Sequence, residues 1–120
     1  MKKIIKSVPK DFKKSVADPE GMERYKQLTI PVIPTRAVFE IMRLQREIVP
    51  NLKKISNPII ALHGKNDRVS PIFNLDILRR GVSSRIFETR IFKNSRHVLT
   101  LDSDKETVSK AVVEFFQKFE

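Results

Sequence analysis

The stretch that most constrains the fold is Pro58-Ile59-Ile60-Ala61-Leu62-His63-Gly64, a short and almost unbroken apolar run closed by glycine. A strand half-exposed to water alternates apolar and polar residues, whereas a run like this suits a strand buried on both faces, as in parallel sheets covered by helices. The residues that follow fit such a layered unit. Ser70-Pro71 reads as a helix cap with proline in the first turn, and that helix is expected to run to Arg80 with Gly81 as its stop. Arg85 to Phe92, with Ile86, Phe87, Ile91 and Phe92, reads as a second strand. Ser103-Asp104-Lys105-Glu106 has the capping-box pattern, and it opens a last helix striped by Val108, Val112, Phe115 and Phe119. Strand, helix, strand, helix implies a right-handed parallel crossover.

Residues 1–57 have a different texture, helical and irregular. Pro9, Pro19, Pro31 and Pro34 keep any element before residue 35 short. Asp18-Pro19-Glu20 looks like a helix start. Thr35 is expected to cap a longer helix with Val38, Ile41, Met42, Ile48, Leu52 and Ile55 mostly on one face, kinked or restarted at Pro50. The expected domains are therefore a helical segment over 1–57 and a β-α-β-α unit over 58–120.

Charge is uneven. Residues 1–57 hold 13 Lys/Arg against 6 Asp/Glu, and residues 58–120 hold 11 against 8, within a net charge of +10. Such a balance invites an anionic partner, but Phe12, Tyr25 and Phe39 are the only aromatic residues before position 58, and no nucleic-acid-binding motif accompanies them. Nucleic acid is not the expected partner, and a solvated lysine-rich surface is the plainer reading. No apolar run approaches the roughly 20 residues that span a bilayer, and no secretory signal is visible, so a cytoplasmic location is the default expectation. With no cysteine, disulfides and thiolate metal sites are excluded.

Two reactive side chains fall beyond the C-terminal ends of the two strands, the edge where open α/β sheets place their sites. Asp67 lies in the loop His63–Pro71, and His97 in the loop Lys93–Asp102. An aspartate on one loop can orient a histidine on its neighbour and stabilise the imidazolium during acyl transfer. Asp67 reads equally well as a turn residue after Asn66, and His97 as a partly buried structural histidine. His63 reads as structural. A metal site would need His63, Asp67 and His97 to converge without any ligand-spacing motif, so no metal and no cofactor is expected.

The segments IIALHGKNDRVSP and NSRHVLTLD resemble the acid loop and the histidine loop of α/β-hydrolases, the second being especially similar to bacterial carboxylesterases and monoacylglycerol lipases. The helical stretch before Pro58 resembles, more loosely, the cap segment of that group. The resemblance implies the C-terminal part of an α/β-hydrolase fold, with Asp67 as acid, His97 as general base, and an ester or acylglycerol as substrate. Arg96 stands where many relatives have glycine, so a long cation is expected beside His97.

The nucleophile of that family sits in Gly-x-Ser-x-Gly on a strand-to-helix elbow. The glycines here, Gly21, Gly64 and Gly81, are too far apart to build one, and Ser95 is not on an elbow. The expectation is thus a truncated or split esterase/lipase-like hydrolase, inactive without a Ser-bearing half. Its apolar strand edge invites a homo-oligomer or a separate N-terminal half. The alternative is a non-catalytic oligomeric remnant or binding module with a basic surface.

Overall fold

The computed structural model describes residues 6–120. The C-terminal unit is built around two parallel strands, β3 (Ile59–Gly64) and β4 (Phe87–Phe92), registered so that Ile59 faces Phe87 and Gly64 faces Phe92. Between them runs α4 (Asn74–Gly81), and after them α5 (Lys105–Gln117).

Strand alternation sorts the two faces. Ile60 and Leu62 pack, with Leu99, on the buried cluster of Phe92, Val108 and Ala111, so α5 covers that face. On the other face the Arg79 guanidinium of α4 lies 5.1 Å from the Phe87 ring. The cover of α5 accounts for the apolar Ile60 and Leu62 of β3. Among the described residues, β3 pairs only with β4, and its second edge has no strand partner.

The first 57 residues hold more strand than their proline content predicts. β1 (Ser7–Pro9) and β2 (Val32–Pro34) pair antiparallel, Val8 opposite Ile33. Between them lie α1 (Phe12–Ser15) and α2 (Pro19–Leu28). Asp18 caps α2 as its sequence implies, its Oδ2 accepting from Gly21 N at 2.7 Å. The long helix α3 (Thr35–Asn51) follows.

Several local expectations are corrected. Thr35 is the first residue of α3 rather than its cap, because its N–H donates across the ribbon to Lys6 O at 3.0 Å and leaves Pro34 in the cap position. Pro50 sits in the last turn of α3, and the chain tightens after it into a 3-10 turn over Leu52–Lys54. The apolar stripe of α3 is not packed: Val38, Ile41, Met42 and Ile48 are all exposed, and only Leu52, beyond Pro50, is buried. Leu52 explains Gly81, where a Cβ would stand 2.6 Å from Leu52 Cδ1. The backbone of Gly81 is not left-handed, so it serves close approach and not a left-handed stop.

The two serine caps of the C-terminal unit also fail. α4 starts at Asn74, three residues after Pro71, because the Ser70 N–H is drawn back to Asp67. α5 starts at Lys105 with Asp104 in the cap position and no side-chain cap bond, because the Asp104 carboxylate has other partners. No helix among the described residues is long and apolar enough to cross a membrane.

Candidate functional site

The loop leaving β3 continues the parallel pairing for two residues: Lys65 N donates to Phe92 O at 2.8 Å and Asn66 N to Ser95 O at 3.2 Å. Asn66 Nδ2 adds a bond to Lys93 O at 2.8 Å. The acid loop is thereby fastened to the histidine loop before either reactive side chain is considered. Gly64 permits this, since a Cβ there would lie 2.1 Å from Arg96 O and 2.6 Å from Ser95 O.

Asp67 turns inward at that point. Its side chain is 4% exposed. Oδ1 accepts from Val69 N at 2.7 Å and Ser70 N at 2.9 Å, an arrangement that folds the loop around the carboxylate. Oδ2 is left for His97, whose Nδ1 stands 2.9 Å away. Burial alone would push the Asp67 carboxyl up, but the Ser70 N–H, the His97 ring and the Val69 N–H outweigh it and hold the group below its ordinary range. An ionised Asp67 accepts, so the neutral ring carries its proton on Nδ1 and keeps a lone pair on Nε2. His97 itself is 40% exposed, and Nε2 has no hydrogen-bond partner among the described residues.

The sequence pairs Asp67 with His97, and the structure brings these two together. It also brings in His63, which is buried with Nδ1 4.0 Å from the same Asp67 Oδ2, beyond hydrogen-bond range. Among the described residues no group of three or more His, Cys, Asp or Glu side chains is placed to hold a metal ion. Arg96 does not crowd His97; its guanidinium donates to the Lys13 carbonyl. Ser95 is fully buried, donating from Oγ to Asp104 Oδ2 and accepting from Asp104 N, both at 2.9 Å, which is a structural post.

Two carboxylates that sequence reasoning missed hold the histidine loop in place. Asp102 has no exposed surface. Its Oδ2 accepts from Arg96 N at 2.7 Å, and its Oδ1 from Ala17 N, Asp18 N and Ser103 N at 2.9, 2.8 and 2.9 Å. Burial opposes its charge, and these four N–H groups more than offset it, so its carboxyl is also held low. Asp104 clamps Asn94 through its N–H and its amide, at 2.9 and 3.0 Å. The signal in the sequence is that Asp102 closes the segment NSRHVLTLD, which resembles the histidine loop of the family, whereas Asp104 reads there only as part of a capping box.

A cavity of about 270 Å³ opens beside His97, walled mainly by the N-terminal segment, with Lys10, Asp11, Lys14, Tyr25 and Ile33 opposite Val69 and the imidazole. The N-terminal segment therefore lies over the end of the sheet where the Asp67–His97 pair sits, and Val98 N, donating to Ser15 O at 2.9 Å, pins the two together.

This architecture has counterparts. The thermostable monoacylglycerol lipase of Bacillus sp. (strain H-257) is 33% identical over 93 residues, which is 78% of this chain and 37% of that lipase. A structure from work on the metagenome-derived lipolytic enzymes LipS and LipT superposes with a TM-score of 0.83 at 25% identity, over 98% of this chain and 46% of that one. The monoacylglycerol lipase of Paleococcus ferrophilus shares the fold with a TM-score of 0.78 at 20% identity, over 91% of this chain and 44% of its own. The chain thus spans less than half the length of these relatives. The family model described as serine aminopeptidase, S33 matches residues 2–104. A match over most of the chain, joined to lipase relatives in both sequence and fold, means that this chain belongs to that esterase- and lipase-like family of α/β-hydrolases.

Proposed function

We propose that the chain supplies the acid and the general base of a carboxylic-ester hydrolase, Asp67 and His97, with residues 58–120 as part of the catalytic core and residues 1–57 as a cap-like cover. The observation that carries this reading is the 2.9 Å contact between Asp67 Oδ2 and His97 Nδ1. It fixes the tautomer in which Nε2 can accept a proton.

In the proposed reaction a serine Oγ attacks the acyl carbon of an ester or acylglycerol. Nε2 of His97 takes the serine proton and then gives it to the departing alcohol, leaving an acyl-serine. Water attacks the acyl-serine with His97 again as base, which releases the carboxylic acid and restores serine. Throughout, Asp67 holds Nδ1–H and stabilises the imidazolium. These 120 residues contain no Gly-x-Ser-x-Gly, so the serine comes from outside them, and they hydrolyse no ester alone. The unpaired edge of β3 is where a strand of the complementing part pairs.

The test is complementation. The chain is co-expressed with the Ser-bearing part of the Bacillus lipase, and hydrolysis of p-nitrophenyl butyrate is followed. We expect no turnover from the chain by itself, turnover and a heavier particle in light scattering from the pair, and a loss on the order of 10⁶-fold with His97→Ala. Turnover that survives His97→Ala would refute the assignment. So would ¹⁵N shifts showing Nδ1 of His97 unprotonated in the neutral ring.

A further inference from the structure

The wall of the cavity beside His97 is unexpectedly cationic for a neutral lipid ester. Lys10 and Lys14 line it against a single carboxylate, Asp11. Lys10 is half-buried and doubly located: its backbone N–H donates to Pro31 O at 2.9 Å at the end of the β1–β2 ribbon, and its Nζ donates to Thr29 Oγ1. The same ammonium lies 5.7 Å from the centre of the Tyr25 ring. An ammonium has three N–H groups, and Thr29 takes one of them. The position of Lys10 is thus set before anything binds, with donors remaining.

Asp11 does not neutralise this group. Its Oδ1 accepts from Lys13 N at 3.1 Å at the start of α1, and its Oδ2 stands 3.8 Å from Lys14 in a pair with both side chains more than half exposed. Such a pair contributes little and is screened by water. A neutral ester filling the cavity would take water from Lys10 without offering an acceptor, which costs affinity. An anionic oxygen would replace that water with a charge-assisted bond. The excess of positive charge over residues 1–57 would also draw an anion towards this end of the molecule.

We propose that this cavity is an anion-accepting subsite, so that the ester handled at His97 carries a phosphate or carboxylate close to its scissile bond, held by Lys10. The proposal rests on the reading of His97 as general base, and its test separates the two.

The ¹⁵N-labelled full chain is titrated in low salt with three probes: 1-butyryl-glycerol 3-phosphate, neutral monobutyrin, and inorganic phosphate. Shifts are followed at Lys10, Thr29, Tyr25 and His97. We expect the butyryl phosphate ester to bind about tenfold more tightly than monobutyrin, the worth of one charge-assisted hydrogen bond. Lys10→Gln should bring that ratio close to one, Lys10→Arg should keep most of it, and Lys110→Gln on the far helix should leave it unchanged. A ratio near one in the unaltered chain, or one indifferent to Lys10→Gln, overturns the proposal. Inorganic phosphate binding as tightly as the ester overturns the substrate assignment, since the ligand would then be free phosphate. In the complemented hydrolase, His97-dependent turnover without preference for the phosphate ester sinks the subsite and spares the base. A Lys10-dependent binding ratio beside turnover indifferent to His97→Ala does the reverse.

Discussion

Replacing Asp102 by asparagine isolates the contribution of one buried charge to the position of the histidine loop. Both carboxylate oxygens accept from backbone N–H groups, Oδ2 from Arg96 and Oδ1 from Ala17, Asp18 and Ser103. Asparagine has the same shape but one oxygen. In its cheaper orientation the oxygen keeps the three donors on Oδ1, and the NH₂ faces the Arg96 N–H across 2.7 Å, and the shared Ala17 N–H across 3.0 Å, donor against donor. The loss is one charge-assisted bond and an unsatisfied buried N–H, with the other three bonds weakened by loss of charge; together about 3 kcal/mol. The pH dependence adds a second signature. Because the folded carboxyl is held below its unfolded value of about 3.9, the stability that its charge supplies is fully present above that value. It is lost as pH falls through the lower folded value. The gap between the two proteins should therefore be constant from about pH 5 to 8 and close below about pH 4. Urea unfolding followed by circular dichroism measures it, and with a slope of roughly 1–3 kcal/mol per molar the midpoint moves by about 1 M or more at pH 7. A difference under about 0.5 kcal/mol at pH 7, the ordinary effect of a surface substitution, or a gap that persists in acid, would refute the reasoning.

Gly64→Ala should cost about 3 kcal/mol, since its Cβ meets backbone carbonyls and not a flexible side chain; urea unfolding checks the cost, and loss of the protonated Nδ1 signal of His97 reports separation of the loops. Asp67→Asn should lower kcat of the complemented hydrolase by about 10⁴-fold while leaving its circular dichroism unchanged, and a loss under tenfold would remove Asp67 from the mechanism. The Asp67 carboxyl, held low by the Ser70 and Val69 N–H groups and by His97 against its own burial, should titrate below about 3.9. A ¹³C midpoint above that value would contradict the hydrogen-bond pattern.

What the sequence made legible was local. The run Ile59–Gly64 carries its own burial on two faces, and Asp67 and His97 follow their strands by a few residues, so strand placement also placed the pair. The β1–β2 ribbon was hidden because each strand has three residues and ends in proline, and because its partners lie 25 or so positions apart. Proline is tolerated at such strand ends and edges, which no local propensity announces. The caps at Ser70 and Ser103 were misread for a shared reason. Each serine is drawn to an aspartate held by a distant segment: Ser70 N–H to Asp67, which His97 holds, and Ser103 N–H to Asp102, which Ala17 and Asp18 hold. The exposed stripe on α3 shows the limit of periodicity, which gives a face but not what covers it.

The missed carboxylates change how the pair should be understood. Had the histidine loop been held only by the Asp67–His97 bond, that bond would have to offset the ordering of a loop of ten residues, at roughly 1–2 kcal/mol of backbone entropy each. One exposed hydrogen bond cannot. Here Ser95 and Asn94 are fixed through Asp104, Arg96 N through Asp102, and Val98 N through Ser15. The residues on both sides of His97 are therefore anchored by groups that never touch the ring. Under the proposed function, the bond to Asp67 is thus free to select the tautomer and the ring orientation, the part of the task that would bear on proton transfer. It follows that under the proposed function a complementing part has to bring the serine and the oxyanion donors, and not the order of this loop.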